Sequence, residues 1–257
     1  MANLDHLAKL RAGVWGWNHW RSQHPHITPD LSHADLSNLN LGSINLHGAN
    51  LSNVNLAKSN LEDADLGEAN LAIAHLCKAF LRQADLTQAN LIGANLQDAD
   101  LKRADLHCAN LIGTNFRNAN LKQASLDGAQ ISRSNLSNAN LTEANLCRAV
   151  LCHSNLHRAV LISAQLYGAD LSHANLREAN LCRAYLLGAT LIEADLSAAN
   201  CSWANLHRTN FSGAKLLHTR ILGANLSRSN LGLDQLVPEG WEMDDFDFAQ
   251  VAHLDHF

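Results

Sequence analysis

Histidine and cysteine are the side chains of this chain best suited to metal binding or nucleophilic chemistry, and the sequence has fifteen of the first and six of the second. The cysteines follow no CxxC or other framework spacing; they are Cys77, Cys108, Cys147, Cys152, Cys182 and Cys201. No three or four potential ligands have the spacing of a zinc site, and the sequence contains no GxSxG, P-loop or HExxH motif. We therefore predict no metal, no cofactor and no enzyme activity.

The composition also indicates where the protein works. Residues 1–5 lack the basic start and apolar stretch of a signal peptide. No run approaches the roughly 18 apolar residues of a membrane span. Cysteines without a framework spacing are typical of reduced thiols. We expect a cytoplasmic protein that makes no contact with membranes.

A five-residue repeat positions every side chain between residues 31 and 231. Leu occupies 36 of the 41 positions at intervals of five, beginning at Leu31. The residue two places earlier is Ala at 30 of 40 positions, and the residue between them is Asn or Asp at 30 of 41. The unit is A-(N/D)-L-x-x, and no insertion interrupts it. An unbroken short period of this kind predicts a solenoid.

The period of five is compatible with neither a helix nor a flat strand. Residues i and i+5 lie about 140° apart on a helix, so the Leu side chains would not form a stripe. A strand has period two and does not keep every fifth residue on one face. One short side followed by one corner fits: Ala and Leu point inward, and both x residues point outward. Gly at the second x suits the bend, as at Gly48, Gly93, Gly113, Gly128, Gly168, Gly188, Gly213 and Gly223.

The repeat resembles that of the pentapeptide-repeat family. The units Ala89-Asn90-Leu91, Ala94-Asn95-Leu96 and Ala139-Asn140-Leu141 match its consensus, and the resemblance covers about four-fifths of the chain. It implies an all-β solenoid, a right-handed quadrilateral β-helix with four units in each coil. About ten coils follow from the length of the repeat. Leu and Ala fill such a coil, so we expect no internal cavity for a substrate.

Residues 1–30 are predicted to form an N-terminal helical cap. A helix is expected over residues 3–22, capped by Asn3 or Asp5, with Leu4, Leu7, Leu10, Val14 and Trp17 at helical spacing. Residues 17–21 and 29–32 resemble the N-terminal segment of cyanobacterial members of the family. A docking role for this segment is the alternative to a cap over the first coil.

The repeat domain is assigned to residues 31–235 and an acidic segment to residues 236–257. From Glu239 onward the chain has six acids and no Lys or Arg. Trp241, Phe246 and Phe248 are the candidate contacts of this segment. They either cap the last coil or join two copies in a homodimer.

The distribution of charge indicates whether the rod could imitate DNA toward a protein partner. The quinolone-resistance proteins of the family present an acidic, DNA-like rod to type II topoisomerase. Residues 31–235 of this chain carry 16 acids and 16 Lys or Arg, so this rod is neutral and resembles a DNA duplex poorly. The charges are also segregated, with nine acids and five bases up to Asn110 and seven acids and eleven bases beyond it. Glu62, Asp63, Asp65 and Glu68 cluster in the acidic half.

Departures from the repeat give the candidate interaction site. With four units in each coil, as the resemblance implies, the outward apolar residues Tyr185, Leu187, Trp203 and Leu222 lie close together. Residues at the same place in successive coils form a column along the rod. Arg148, Arg208 and Arg228 then share one column, and His153 and His173 stack on neighbouring coils. We predict a non-enzymatic scaffold or protein-interaction module with an unidentified protein partner and no direct nucleic-acid binding. A DNA-mimicking inhibitor or protector of DNA gyrase is the alternative.

Overall fold

The computed structural model describes residues 1–231. Two α-helices open the chain, α1 at Leu4–Arg11 and α2 at Val14–Gln23. The prediction of one helix over residues 3–22 is wrong, because the chain breaks at Gly13, whose φ of 115° lies far outside the helical region. No helix within residues 1–231 is long and apolar enough to cross a membrane.

The predictions for the start of α1 and for the buried side of the two helices agree better with the structure. The Asn3 side chain caps α1 by accepting hydrogen bonds from the backbone of Asp5 at 2.9 Å and of His6 at 3.2 Å. Leu10 and Trp17 are buried, as helical spacing predicts. Leu4 is 79% exposed, so its assignment to the apolar face is wrong.

Beyond residue 30 the backbone winds with a constant period of four units. Parallel single-residue bridges join each N/D position to the N/D position four units later, from Asp30↔Asn50 to Asn205↔Asn225. Within this register the Leu N–H donates to the coil ahead, as Leu91 does to Asn110 O at 2.7 Å. The N/D position donates to the coil behind, as Asn110 does to Ala89 O at 2.9 Å. Each coil therefore consists of four five-residue units.

A tight turn separates successive units. The Ala N–H donates back across the two x residues to the Leu carbonyl, as Ala94 does to Leu91 at 2.9 Å. Every second x residue from His33 to Arg228 has a positive φ, between 53° and 61° where it is not Gly. The first x residue does not have a positive φ, and these signs of φ match those of a type II turn. This geometry confirms that both x residues lie at a corner.

The Leu ladder fills the interior. Every position of the ladder from Leu31 to Leu231 is buried, and none is more than 4% exposed. Burial of each Leu contributes about 1.5–3 kcal/mol, so the column of ladder residues supplies the main stabilising term. The Ala side chains beside the ladder are buried too.

Hydroxyl groups replace Ala at one inner column without leaving an unpaired polar atom. Thr114, Ser134 and Ser154 stack on three successive coils. Each donates to the carbonyl of a ladder residue one coil back, at 2.9, 2.7 and 2.6 Å respectively. Ser and Thr fit a space sized for Ala only when the hydroxyl is bonded in this way.

Asn and Asp form ladders on the outside. The Asn95 Oδ1 accepts from the backbone N–H of Gln97 at 3.2 Å, which holds the start of the turn. The Asn115 Nδ2 donates to the same Oδ1 from the next coil at 3.0 Å. The N/D side chain therefore holds the turn backbone and also links neighbouring coils.

The helices lie against the open edge of the first coil. Trp17 Nε1 donates to Asn45 O at 2.6 Å, and Asn18 Oδ1 accepts from Asn45 N at 2.8 Å. Arg21 Nη2 donates to His47 O at 2.8 Å. In later coils these backbone groups bond to the preceding coil. Side chains of α2 therefore take the place of a coil that is missing at this end.

Groups from the N-terminal segment also bond to the backbone of Asp30. Its carbonyl accepts from Asn3 N at 3.0 Å, and its N–H donates to His6 Nδ1 at 3.0 Å. Both α1 and α2 are thus tied to the first coil by hydrogen bonds as well as by the burial of Leu10 and Trp17.

The turn geometry makes Ile73 a site of strain. Ile73 has φ of 59°, a conformation that β-branched residues rarely adopt, and its side chain is 61% exposed. We expect Ile73→Asn to raise the free energy of unfolding by about 1 kcal/mol, because Asn tolerates this conformation and little apolar contact is lost. Urea unfolding followed by circular dichroism measures the change. The control Ile112→Asn, at a first x position, should give no gain; an equal shift in both variants would contradict the argument.

Candidate interaction surface

Tyr185 and Leu187 lie together in an open hollow on the outer surface. The hollow has a volume of about 390 Å³. The described residues that line it are Cys147, Gln165, Tyr167, Tyr185, Leu187 and Asn205. The two tyrosines are each 55% exposed. Two aromatic rings beside an aliphatic side chain form a surface suited to an apolar side chain of a partner.

Trp203 and Leu222 form a separate apolar group. Their backbones are hydrogen-bonded, with Trp203 N donating to Leu222 O at 2.8 Å. The Trp203 ring lies over Gly223, where an added Cβ would fall 2.4 Å from ring carbon Cε3. The ring therefore points toward the following coil, whereas Tyr185 lies on the preceding one. The structure brings the four predicted residues together as two pairs, and the pair Trp203 and Leu222 does not line the hollow.

Sequence reasoning missed Tyr167, the second ring of the hollow. Tyr167 occupies the same column as Leu187, one coil earlier. The period of the coil would have revealed Tyr167, because it places Tyr167 and Leu187 at equivalent positions of neighbouring coils. The interaction role of all these residues stays a prediction.

Arginine side chains run along one edge of the same face. Arg208 and Arg228 follow Gly188 in one column on successive coils, and none of the described residues forms an ion pair with either guanidinium. Arg148 differs, because it makes a two-point contact with Asp127 in which Nε lies 3.1 Å from Oδ1. The hydrogen bond from Arg148 lowers the pKa of Asp127 from its ordinary value. Within residues 1–231, two guanidinium groups without an ion pair thus lie on the same face as the hollow, one and two coils beyond Leu187.

The acidic half of the rod has a second hollow where α2 meets the coil. Its volume is about 670 Å³, and its lining includes Arg21, His47, Asp63 and Asp65. His47 Nδ1 lies 3.3 Å from Asp65 Oδ1. Burial lowers the pKa of the Arg21 guanidinium, and the nearby Asp65 carboxylate acts in the opposite direction. The Arg21 guanidinium interacts electrostatically with Asp65, so this hollow offers less uncompensated charge than the acid count suggests.

The histidine stack predicted from the sequence is present. The rings of His153 and His173 are parallel, with centroids 4.6 Å apart. His173 Nδ1 lies 3.2 Å from Glu193 Oε2. Among residues 1–231, no three or more His, Cys, Asp or Glu side chains are grouped so that they could hold a metal ion.

The candidate contacts Trp241, Phe246 and Phe248 lie outside the described residues, as does the segment 236–257 assigned to a cap or dimer interface. Their role stays a prediction.

Comparison with known proteins identifies the repeat. A family model described as pentapeptide repeats matches the chain in 8 copies. The matched residues are 30–67, 69–107, 104–142, 139–177, 164–200, 174–213 and 194–232. Among curated proteins, no sequence matches the chain significantly.

The chain was also compared with solved structures, and HetL supports the family assignment. The chain is 34% identical to HetL, a pentapeptide repeat protein involved in heterocyst differentiation regulation from the cyanobacterium Nostoc sp. strain PCC 7120, with a TM-score of 0.64. That match covers 82% of this chain and 92% of HetL. The plasmid-mediated fluoroquinolone resistance protein QnrB1 is 15% identical over 83% of this chain and 88% of its own, with a TM-score of 0.32.

The packing of Trp203 on Gly223 predicts a difference between two glycines. Gly188 and Gly223 both have φ of 66°, but a Cβ at Gly188 would meet nothing within 4 Å. Gly188→Ala should cost about 1 kcal/mol of unfolding free energy through backbone strain alone. Gly223→Ala should cost about 1–3 kcal/mol more, because the indole ring must move. Urea unfolding measures the loss, and tryptophan fluorescence reports the ring. Equal losses with unchanged fluorescence would show that Trp203 does not pack on Gly223.

Proposed function

The chain belongs to the pentapeptide-repeat family, whose members form right-handed quadrilateral β-helices, and from this premise we propose that it is a non-enzymatic rigid scaffold that binds a protein partner. The filled interior supports this proposal. Catalysis needs converging groups in a site that excludes water, and the ladder leaves no such space inside the coil. Recognition therefore takes place on the outer faces.

The hollow at Tyr167 and Tyr185 carries the proposal. It presents exposed aromatic rings, and Arg208 and Arg228, which form no ion pair within residues 1–231, lie along the same face. Aromatic residues and Arg are the types enriched at protein interfaces. The partner expected to fit presents an apolar side chain to the hollow and acidic groups beside it. Trp203 with Leu222 provides a second contact nearby.

The similarity to HetL supports a regulatory setting for this binding. HetL is 34% identical over 82% of this chain and takes part in the regulation of differentiation in a cyanobacterium. We propose that this protein likewise acts in the cytoplasm of a cyanobacterium, as one component of a regulatory protein complex.

The alternative, mimicry of DNA toward gyrase, has less support. The repeat region carries equal numbers of acids and of Lys or Arg. The acidic charge at the N-terminal end is partly offset, since the Arg21 guanidinium interacts electrostatically with Asp65. A duplex presents one negative charge per roughly 1.7 Å without such compensation.

The binding proposal predicts that the hollow is needed for capture of a partner. Tagged full-length protein is used for affinity capture from a cyanobacterial lysate, and the affinity for the captured protein is then measured by titration. The double variant Tyr167→Ser with Tyr185→Ser should lower the affinity at least about tenfold, because loss of two aromatic contacts removes more than about 1.4 kcal/mol. Trp203→Ala should give a smaller loss.

A matched control lies on another face. Ile92 and Ile112 are 41% and 37% exposed and stack one coil apart, and their replacement by Ser should leave binding unchanged. Absence of any captured protein, or full binding by the double tyrosine variant, would contradict the proposal. Capture of gyrase together with an effect on its supercoiling activity would favour the alternative.

We also propose that α1 and α2 act as the cap of the first coil. An open coil edge carries unpaired N–H and C=O groups that invite association with another chain. Asn18 bonds to Asn45 N and, through Nδ2, to Ser43 O at 2.9 Å. The segment therefore covers polar backbone groups that repeat units alone would leave open.

The cap proposal predicts that Asn18→Ala lowers the free energy of unfolding by about 1–3 kcal/mol, because a backbone N–H at the edge loses its partner. The variant should also associate with itself as its concentration rises. Urea unfolding and light scattering measure the two effects. Ser22→Ala is the control, since the one bond of the Ser22 hydroxyl within residues 1–231 is to His19 O of its own helix, at 2.7 Å. Equal behaviour of the two variants would argue against the cap.

A further inference from the structure

Cys108, His107 and Asp127 form a line of titratable side chains on the outer surface of the rod. The Cys108 Sγ lies 3.3 Å from His107 Nε2, within hydrogen-bond distance for sulfur. The other ring nitrogen, His107 Nδ1, lies 3.6 Å from Asp127 Oδ2. One imidazole therefore faces a thiol on one side and a carboxylate on the other, which is the arrangement in which histidine accepts a thiol proton.

Arg148 fixes the far end of this line. It contacts both oxygens of the Asp127 carboxylate, and this hydrogen bond lowers the pKa of Asp127. The carboxylate therefore stays ionised near neutral pH and can hold an imidazolium. The guanidinium also lies close enough to interact electrostatically with the thiol of Cys108.

The surroundings leave the thiol accessible. Cys108 is exposed, whereas Cys77, Cys147, Cys152 and Cys182 are partly buried. Cys201 is buried in the ladder, and burial raises its pKa to about 12. The residue beyond Cys108 in its column is Gly128, where a Cβ would lie 3.2 Å from the sulfur. Glycine at this position keeps the space beside the thiol open.

We propose that Cys108 is a reactive thiol that is modified by low-molecular-weight disulfides. His107 takes the proton of the thiol, and the thiolate attacks one sulfur of the disulfide. A new S–S bond forms between Cys108 and that sulfur while the original S–S bond breaks, and the proton passes to the leaving thiolate. The product is a mixed disulfide on the surface of the rod together with one free small thiol. The site is convex, so it suits modification rather than turnover of a substrate.

The proposal is tested with reduced full-length protein and glutathione disulfide. Peptide mass spectrometry follows the addition of one glutathionyl group at each cysteine with time, between pH 6 and pH 9.5. At pH 7 Cys108 should react about tenfold faster than Cys147, which lies near the same guanidinium but has no imidazole partner among the described residues. The tenfold difference is expected because the thiolate is the attacking species and an ordinary exposed thiol is only a few per cent ionised at pH 7.

The variant His107→Asn separates proton transfer from simple exposure. It should lower the rate at Cys108 about tenfold at pH 7, and the difference should fall below about twofold at pH 9.5, where exposed thiols ionise without a base. His107 lies at a partly buried outer position, and circular dichroism checks that the fold is retained. An unchanged rate in the variant, a loss of equal size at every pH, or a Cys108 rate no faster than that of Cys147 would each overturn the proposal.

Discussion

The structure depends on a left-handed backbone conformation that recurs at every fifth residue. Each corner needs one residue with φ near +60°, and at 32 corners that residue is not Gly. An L-residue in this conformation costs roughly 1 kcal/mol. Burial of one Leu and of one Ala per unit, with backbone bonds to both neighbouring coils, offsets that cost. The strain of the turn and the burial that offsets it occur within the same five-residue unit. Each unit is therefore stable in the same register, and the repeat runs without insertions from Leu31 to Leu231.

A coil built this way has satisfied backbone groups only where another coil, or an equivalent set of donors and acceptors, lies on each side. The N-terminal edge shows how the requirement is met without a repeat. Trp17 Nε1, Asn18 Oδ1 and Arg21 Nη2 supply one acceptor and two donors at the places where a preceding coil would supply them. A helix offers such groups because residues three and four apart share one face. The match between α2 and the coil edge is therefore chemical as well as apolar.

The repeat makes the fold predictable from the sequence, and the departures from it are harder to interpret. Small, polar and Leu positions recur so regularly that the direction of nearly every side chain in residues 31–231 follows from its place in the unit. Sequence reasoning misses Gly13 as a helix break because Gly within an apolar helical pattern is tolerated. The positions of Trp203 and Tyr185 within the coil are enough to predict from the sequence that the two residues are neighbours. The direction of its ring depends on the side-chain torsion at a residue with φ of 61° and on the space over Gly223, which spacing does not reveal.

The turn also decides what chemistry the surface can hold. In a strand, adjacent residues point to opposite faces, but the two x residues of each corner both point outward. Neighbours in sequence can therefore bond to each other, as His107 and Cys108 do, and a third group joins them from the next coil, as Asp127 does. Tyr167 and Leu187 meet by the same rule. Because the ladder alone determines the interior, such groups can arise at any corner at little cost to folding. A chemical site on this rod is thus found by comparing each corner with the corresponding corners of the coils before and after it.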